Sequence, residues 1–165
     1  MQQILILRHA TPEPWLSEAE DFSRTLSEAG RKQAVNIANW IDETLEMPEE
    51  ILCSPAQRTR ETLAPLLCLH PTLETCTRFV PQAYGASRHT LSTLLDAAFC
   101  EADNVLIVGH NPGIERLALD ILAPAGREQV GHVQTGTLLV VEFQSGWPDD
   151  AGNGVLRHRI RAEES

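Results

Sequence analysis

The chain has 165 residues, 42% of them hydrophobic and 22% charged. This length and composition are typical of one globular domain with a substantial core, so residues 1–165 are predicted to form a single domain. Asp and Glu number 23 against 13 Lys and Arg, and the formal net charge is −10. Because nucleic acids and anionic membranes are bound through basic surfaces, this balance argues against both kinds of partner.

The start of the chain does not have the pattern of a secretion signal. Its first apolar run covers only residues 4–7 and leads into Arg and His rather than into a cleavage site. No stretch approaches the roughly 20 apolar residues that a transmembrane helix needs. The four cysteines are scattered, with no C-x-x-C pair, which favours free thiols over disulfides or a metal site. We therefore expect a cytoplasmic protein.

Strand and helix patterns alternate along the chain. The predicted strands are residues 4–7, 51–53, 75–80, 104–108, 137–143 and 155–160. The predicted helices are residues 27–45, 54–69, 87–100 and 114–122, the second with Ser54 as its N-cap and Pro55 in its first turn. Such alternation predicts an α/β fold with a largely parallel sheet.

Polar residues follow three of these strands at the point where each strand ends. The first strand leads into Arg8 and His9, the second into a Ser-Pro pair and then Arg58, and the fourth into a Gly-His-Asn-Pro-Gly segment containing His110. In a parallel sheet these ends lie at one edge, where α/β proteins bind their ligands. The sequence thus predicts a site with two arginines and two histidines.

This set of side chains suits a phosphoryl group. Guanidinium groups bind phosphate oxygens bidentately, and helix N-termini add backbone donors. One imidazole can attack phosphorus while the other donates to an oxygen, and the charges stabilise the transferred group. Each segment alone is a weak signal, and the prediction depends on their joint occurrence in this order.

Three segments resemble the histidine phosphatase superfamily, which has the phosphoglycerate mutase-like fold. They are LRH at 7–9, SPAQRTRET at 54–62 and VGHNP at 108–112. Two others, LSEAGRKQA at 26–34 and YGAS at 84–87, resemble the SixA-like branch of that superfamily. The chain is most similar to the small SixA-like phosphohistidine phosphatase branch, over residues 4–118. The resemblance implies a three-layer α/β/α sandwich with a mixed, mostly parallel sheet.

The resemblance also implies roles for individual residues. His9 would be the nucleophile that becomes phosphorylated, and Arg8, Arg58 and His110 would form the phosphate pocket. Arg24 resembles a further arginine of the SixA-like branch and would be a second phosphate or substrate contact. The chemistry requires no cofactor and no metal. A neutral His9 should have its Nδ1 held by a backbone carbonyl.

Two departures from the superfamily pattern bear on the substrate. Ala10 stands where the signature usually has glycine, as it often does in SixA-like members. Residues 79–85 contain no carboxylate, whereas mutases and many ester phosphatases have a general acid there. An alkoxide leaving group needs a proton from such an acid. An imidazole leaving group, with a parent pKa near 6.5, departs with little help. Alternatively, the side chain of Glu13 or Glu61 could reach the site and serve as the general acid.

The sequence therefore predicts an enzyme that hydrolyses the P–N bond of phosphohistidine on a protein, such as a phosphotransfer domain. The short connections favour a shallow site open to a protein side chain. Three alternatives stay open: a broad small-molecule phosphomonoesterase, a non-catalytic phosphohistidine-binding module, and a metal-dependent hydrolase. The protein substrate, the general acid and the oligomeric state are not determined by the sequence.

Overall fold

The computed structural model describes residues 1–16, 20–147 and 152–162. Its strands are β1 (Gln2–Arg8), β2 (Glu50–Cys53), β3 (Thr77–Phe79), β4 (Asn104–Gly109), β5 (Thr137–Phe143) and β6 (Val155–Arg161). Its α-helices are α1 (Glu28–Thr44), α2 (Gln57–Leu69), α3 (Arg88–Ala98), α4 (Gly113–Ile121) and α5 (Pro124–Val130). Short 3₁₀ helices occupy Pro71–Cys76 and Pro81–Ala83.

The six strands form one mixed sheet in the order β3-β2-β4-β1-β5-β6. The pairs β3–β2, β2–β4 and β4–β1 are parallel, whereas β1–β5 and β5–β6 are antiparallel. Arg8 at the end of β1 is opposite Gly109, and Cys53 at the end of β2 is opposite Val108. The ends of β1, β2 and β4 are therefore level with one another at one edge of the sheet.

Helices cover both faces of the sheet, which confirms the predicted three-layer α/β/α sandwich. On one face α1 and α2 pack on the sheet through buried residues such as Ile37, Ile41 and Leu63. On the other face α3 and α4 pack through residues such as Leu95 and Leu117. Because strands buried on both faces consist of continuous apolar residues, β1 and β4 show no alternation in the sequence.

The predicted start of α2 was wrong. The helix begins at Gln57 and its N-cap is Ala56, which has no side-chain capping bond, rather than Ser54. The hydroxyl of Ser54 lies instead 2.7 Å from Nε2 of His110. The Ser-Pro pair thus forms part of the link between β2 and α2.

Other differences from prediction concern the lengths of elements. The third strand is three residues long, because the residues before it form the 3₁₀ helix Pro71–Cys76. Helix α5 was not predicted. The helix is only seven residues long and contains a glycine, and Gly126 and Val130 are its only buried residues. Its sequence therefore has no clear helical periodicity of apolar residues.

Two glycines allow backbone segments to approach closely near the sheet edge. A Cβ atom at Gly30 would lie 2.0 Å from the carbonyl oxygen of Thr11, where the loop after β1 crosses α1. A Cβ atom at Gly113 would lie 2.2 Å from the carbonyl oxygen of Ala86, beside α3. These contacts fix the loops that follow β1 and β4.

Within the described ranges, no helix is long and apolar enough to cross a membrane. The four cysteines are free thiols, with Cys53 buried and Cys68 and Cys100 exposed.

Candidate active site

The ends of β1, β2 and β4 bring the predicted site residues into one pocket of about 370 Å³. Arg8, His9, Arg58, His110 and Arg24 all line it. Five further residues complete the lining: Trp15, Asp21, Tyr84, Gly85 and Asn111. The convergence follows from the parallel register, since residues that directly follow level strand ends are neighbours in space.

His9 is held at the base of the pocket and is only 4% exposed. Its amide donates to the carbonyl oxygen of Gly109 at 3.1 Å, and its Nδ1 lies 2.7 Å from the carbonyl oxygen of Ala10. Because a carbonyl oxygen can only accept, Nδ1 must carry the proton of the neutral ring. The Nε2 lone pair is then free, as expected of a nucleophile.

The environment of His9 keeps the ring neutral. Burial lowers its pKa to about 3, assisted by the positive charges of Arg58 and Arg8, while the bond to Ala10 partly opposes the shift. Taking a charged imidazolium out of water is unfavourable, and two nearby cations increase that cost. At neutral pH His9 is therefore an uncharged imidazole.

His110 faces His9 across the pocket, with ring centroids 5.2 Å apart. Its Nε2 lies 2.7 Å from the Oγ of Ser54, while its buried Nδ1 has no hydrogen-bond partner within the described part of the chain. Burial and then the charge of Arg58 lower its pKa to about 4. Both histidines are thus neutral, and the positive charge of the pocket comes from arginines.

The three arginines are anchored by different groups. Arg8 donates from Nη1 to the carbonyl oxygen of Val133 at 2.9 Å. Arg58 donates to the backbone and side-chain oxygens of Asp21, at 2.6 and 3.2 Å. Arg24 lies 3.4 Å from the same carboxylate. The Nε atoms of all three are buried and have no partner among the described residues, so each guanidinium retains donors for an anion.

Like Trp15, Asp21 is a lining residue that the sequence did not single out. It accepts hydrogen bonds from Arg58 and from the hydroxyl of Tyr84. Burial opposes ionisation, but the Tyr84 bond and the charges of Arg58 and Arg24 outweigh it and hold the pKa of the carboxyl below its usual value. With Asp21 as an anion and three arginines as cations, these lining residues sum to +2, which matches a phosphoryl dianion.

The two carboxylates that the sequence offered as alternative acids lie elsewhere. Glu61 accepts from the amide of Leu26 at 3.2 Å. Glu13 and Glu61 are absent from the described lining of the pocket. No group of three or more His, Cys, Asp or Glu side chains in the described ranges could hold a metal ion.

The sequence matches a family model over more than half of its length. Residues 4–90 fit the model of the histidine phosphatase superfamily, branch 1. The chain belongs to the histidine phosphatase superfamily. It is a phosphatase of the phosphoglycerate mutase-like fold.

Two mycobacterial proteins are similar in sequence to about two thirds of this chain. An uncharacterised protein of Mycobacterium leprae is 31% identical over 116 residues, which is 68% of this chain and 69% of that protein. An uncharacterised protein of Mycobacterium tuberculosis is 28% identical over 108 residues, which is 66% of this chain and 65% of that protein.

Solved structures show the same fold over nearly the whole chain. A protein of Nakamurella multipartitia assigned to the phosphohistidine phosphatase SixA is 23% identical, with a TM-score of 0.83 over 98% of this chain and 96% of that one. A protein histidine phosphatase SixA bound to tungstate is 25% identical, with a TM-score of 0.75 over 96% of each chain. The α-ribazole phosphatase of Shigella flexneri is 15% identical, with a TM-score of 0.66 over 99% of this chain and 96% of that one.

Proposed function

We propose that this phosphatase hydrolyses the P–N bond of phosphohistidine on a protein, through a phosphorylated His9. The observation that carries the proposal is the bond from Nδ1 of His9 to the carbonyl of Ala10, which leaves Nε2 unprotonated in a pocket lined by arginines. In the first step Nε2 attacks phosphorus in line, the bond to the substrate imidazole breaks, and that ring leaves with the electron pair.

The pocket can stabilise this transfer without a metal. Arg8 and Arg58 would bind the phosphoryl oxygens, with His110 donating a further hydrogen bond and Arg24 lying at the side. The ring of His9 gains positive charge as it forms the new P–N bond, and the Ala10 carbonyl accepts from Nδ1 throughout. In the second step water attacks phosphorus, Nε2 of His9 leaves, and inorganic phosphate is released.

The state of Asp21 supports a P–N bond rather than a phosphate ester. A general acid must carry a proton at the working pH, and the arginines and Tyr84 keep this carboxyl ionised. An alkoxide leaving group would then receive no proton from Asp21. An imidazole leaving group, with a parent pKa near 6.5, is a far weaker base and needs less assistance.

The open mouth of the pocket supports a side chain on another protein as the substrate. Trp15 and Gly85 at the mouth are exposed, whereas His9 at the base is buried. The connections after β2 and β4, residues 54–56 and 110–112, are short, and the loop after β3 contains the 3₁₀ helix Pro81–Ala83, whereas the longer loop after β1 contributes Trp15 to the lining. We infer a phosphohistidine-bearing protein, such as a phosphotransfer domain, as the partner, and a cytoplasmic location.

The proposal is tested by comparing kcat/KM for a phosphohistidine protein and for an unactivated alkyl phosphate under the same conditions. We expect the phosphohistidine protein to be hydrolysed at least tenfold faster than the alkyl phosphate. Label from the phosphoprotein should also appear on the enzyme in an acid-labile form, and should be absent from His9→Ala. Faster hydrolysis of the alkyl ester would instead support a small-molecule phosphomonoesterase.

A further inference from the structure

The depth of the pocket determines where the leaving group must lie. An in-line displacement places the leaving group on the opposite side of phosphorus from the nucleophile. His9 is at the base and is 4% exposed, so the departing ring points towards the mouth. The aromatic residue of the lining that is most open to solvent is Trp15, which is 57% exposed.

A chain of contacts connects Trp15 to the phosphate-binding arginines. The guanidinium carbon of Arg24 lies 5.6 Å from the centre of the indole ring. Arg24 is paired with Asp21, and Asp21 with Arg58. Arg24 contacts one face of the ring, and more than half of the residue remains open. The indole is thus held beside the anion site, and part of its aromatic surface remains available for contact with a ligand.

Tyr84, which with Trp15 and the two histidines makes up the aromatic residues of the described lining, already has several partners. Its hydroxyl donates to Asp21, its ring packs edge-on against Phe22 at 5.1 Å, and it lies 5.5 Å from the ring of His110. It is therefore better placed to support the wall of the pocket than to receive a substrate ring.

We propose that Trp15 forms a subsite for the imidazole ring of the substrate histidine. The inference rests on the proposed function and specifies how that substrate is recognised. A flat aromatic ring gains from contact with an indole, and it gains more when it carries positive charge, as a phosphohistidine ring protonated on its other nitrogen does. The contact distinguishes a phosphorylated histidine from other compounds that carry the same phosphoryl group.

The experiment compares two P–N substrates that differ in the ring. Phosphohistidine has an imidazole leaving group, whereas phosphoramidate has the same bond with ammonia as its leaving group. In Trp15→Ala we expect the ratio of kcat/KM for phosphohistidine to that for phosphoramidate to fall about tenfold, from the size of ring–cation contacts. Trp15→Phe should keep most of the wild-type ratio, because phenylalanine retains an aromatic face.

Leu16→Ala is the matched control, since Leu16 is the next residue, is 83% exposed and does not line the pocket. We expect it to preserve the wild-type ratio. An unchanged ratio in Trp15→Ala, or an equal loss in Leu16→Ala, overturns the subsite. If the wild-type enzyme hydrolyses neither phosphohistidine nor phosphoramidate, the proposed function is overturned instead. Failure of the subsite and failure of the proposed function are therefore distinguishable.

Discussion

The hydroxyl of Ser54 lies 2.7 Å from Nε2 of His110, joining the segments that follow two neighbouring parallel strands. Ser54 is fully buried, and its oxygen also accepts weakly from the amide of Ala56 at 3.4 Å. When the hydroxyl donates to Nε2, the proton of neutral His110 resides on Nδ1, the nitrogen that has no partner within the described ranges. Ser54 would thereby orient His110 for donation to an anion.

Ser54→Ala is therefore expected to lower kcat about tenfold or more, because His110 loses the bond that fixes its tautomer and its ring orientation. The measurement is steady-state hydrolysis of a phosphohistidine substrate, with folding checked by circular dichroism. Ser87→Ala is the control, because that hydroxyl caps α3 by accepting from Thr90 and should affect stability rather than kcat. Equal kcat in Ser54→Ala and the wild type would contradict the positioning role.

His9→Ala is expected to abolish turnover while sparing oxyanion binding. The substitution removes the attacking Nε2 but leaves Arg8 and Arg58, the main sources of charge in the pocket. Calorimetric titration with tungstate should give a Kd within severalfold of the wild-type value. Retained turnover would refute His9 as the nucleophile, and lost tungstate binding together with lost turnover would assign His9 to binding.

The depressed pKa values of His9 and His110, about 3 and about 4, make stability depend on pH. Between these values and pH 6.5 the unfolded chain binds protons that the folded chain does not. The free energy of unfolding should therefore fall as the pH decreases from 7 to 5, by about 1.4 kcal/mol per pH unit for each histidine below pH 6. Urea denaturation at several pH values measures this slope.

The variant His9→Asn isolates one contribution to this slope. Its unfolding free energy should fall less steeply than that of the wild type between pH 6 and 5, by about 1.4 kcal/mol per pH unit. Identical slopes for the two proteins would show that His9 has an ordinary pKa in the folded state.

Asp21→Asn is expected to strengthen binding of tungstate or phosphate. The substitution removes the negative charge that is paired with Arg58 and Arg24, and raises the summed charge of these lining residues from +2 to +3. Hydrolysis of phosphohistidine should persist, since an ionised Asp21 supplies no proton. Weaker oxyanion binding would show instead that Asp21 chiefly orients the arginines.

Glu61→Gln is the control for the Asp21 substitution, because it neutralises a carboxylate outside the pocket lining. It should leave both oxyanion affinity and turnover near the wild-type values. A selective loss of alkyl phosphate hydrolysis in Glu61→Gln would instead support Glu61 as a general acid.

Much of the pocket could be predicted from the sequence because its signals are local. The apolar runs of β1, β2 and β4 identify buried strands, and the residues immediately after them lie at the edge of a parallel sheet. Arg8, His9 and His110 follow from that rule, and Arg58 lies in the first turn of the helix that follows β2. The carbonyl bond predicted for Nδ1 of His9 is confirmed in the structure.

Asp21 could not be selected from the sequence because its partners are distant along the chain. Arg58 and Tyr84 are 37 and 63 residues away, and Asp21 stands in a loop with other acidic residues. Ser54 was misassigned for a related reason. A serine before proline at the start of a helix is also a local capping signal, and only contact with His110, 56 residues away, reveals its actual bond.

The sequence alone determined the succession along the chain of the six strands and of four of the five described α-helices. It also determined which cations and imidazoles follow the strand ends, since these features depend on hydrophobic periodicity and near neighbours. The tertiary structure decided how those groups are charged and paired. Burial makes both histidines neutral, and folding of the loop after β1 brings Asp21 between Arg24 and Arg58. Desolvation and charge pairing depend on atoms far apart along the chain, so only the folded chain fixes the chemistry of the pocket.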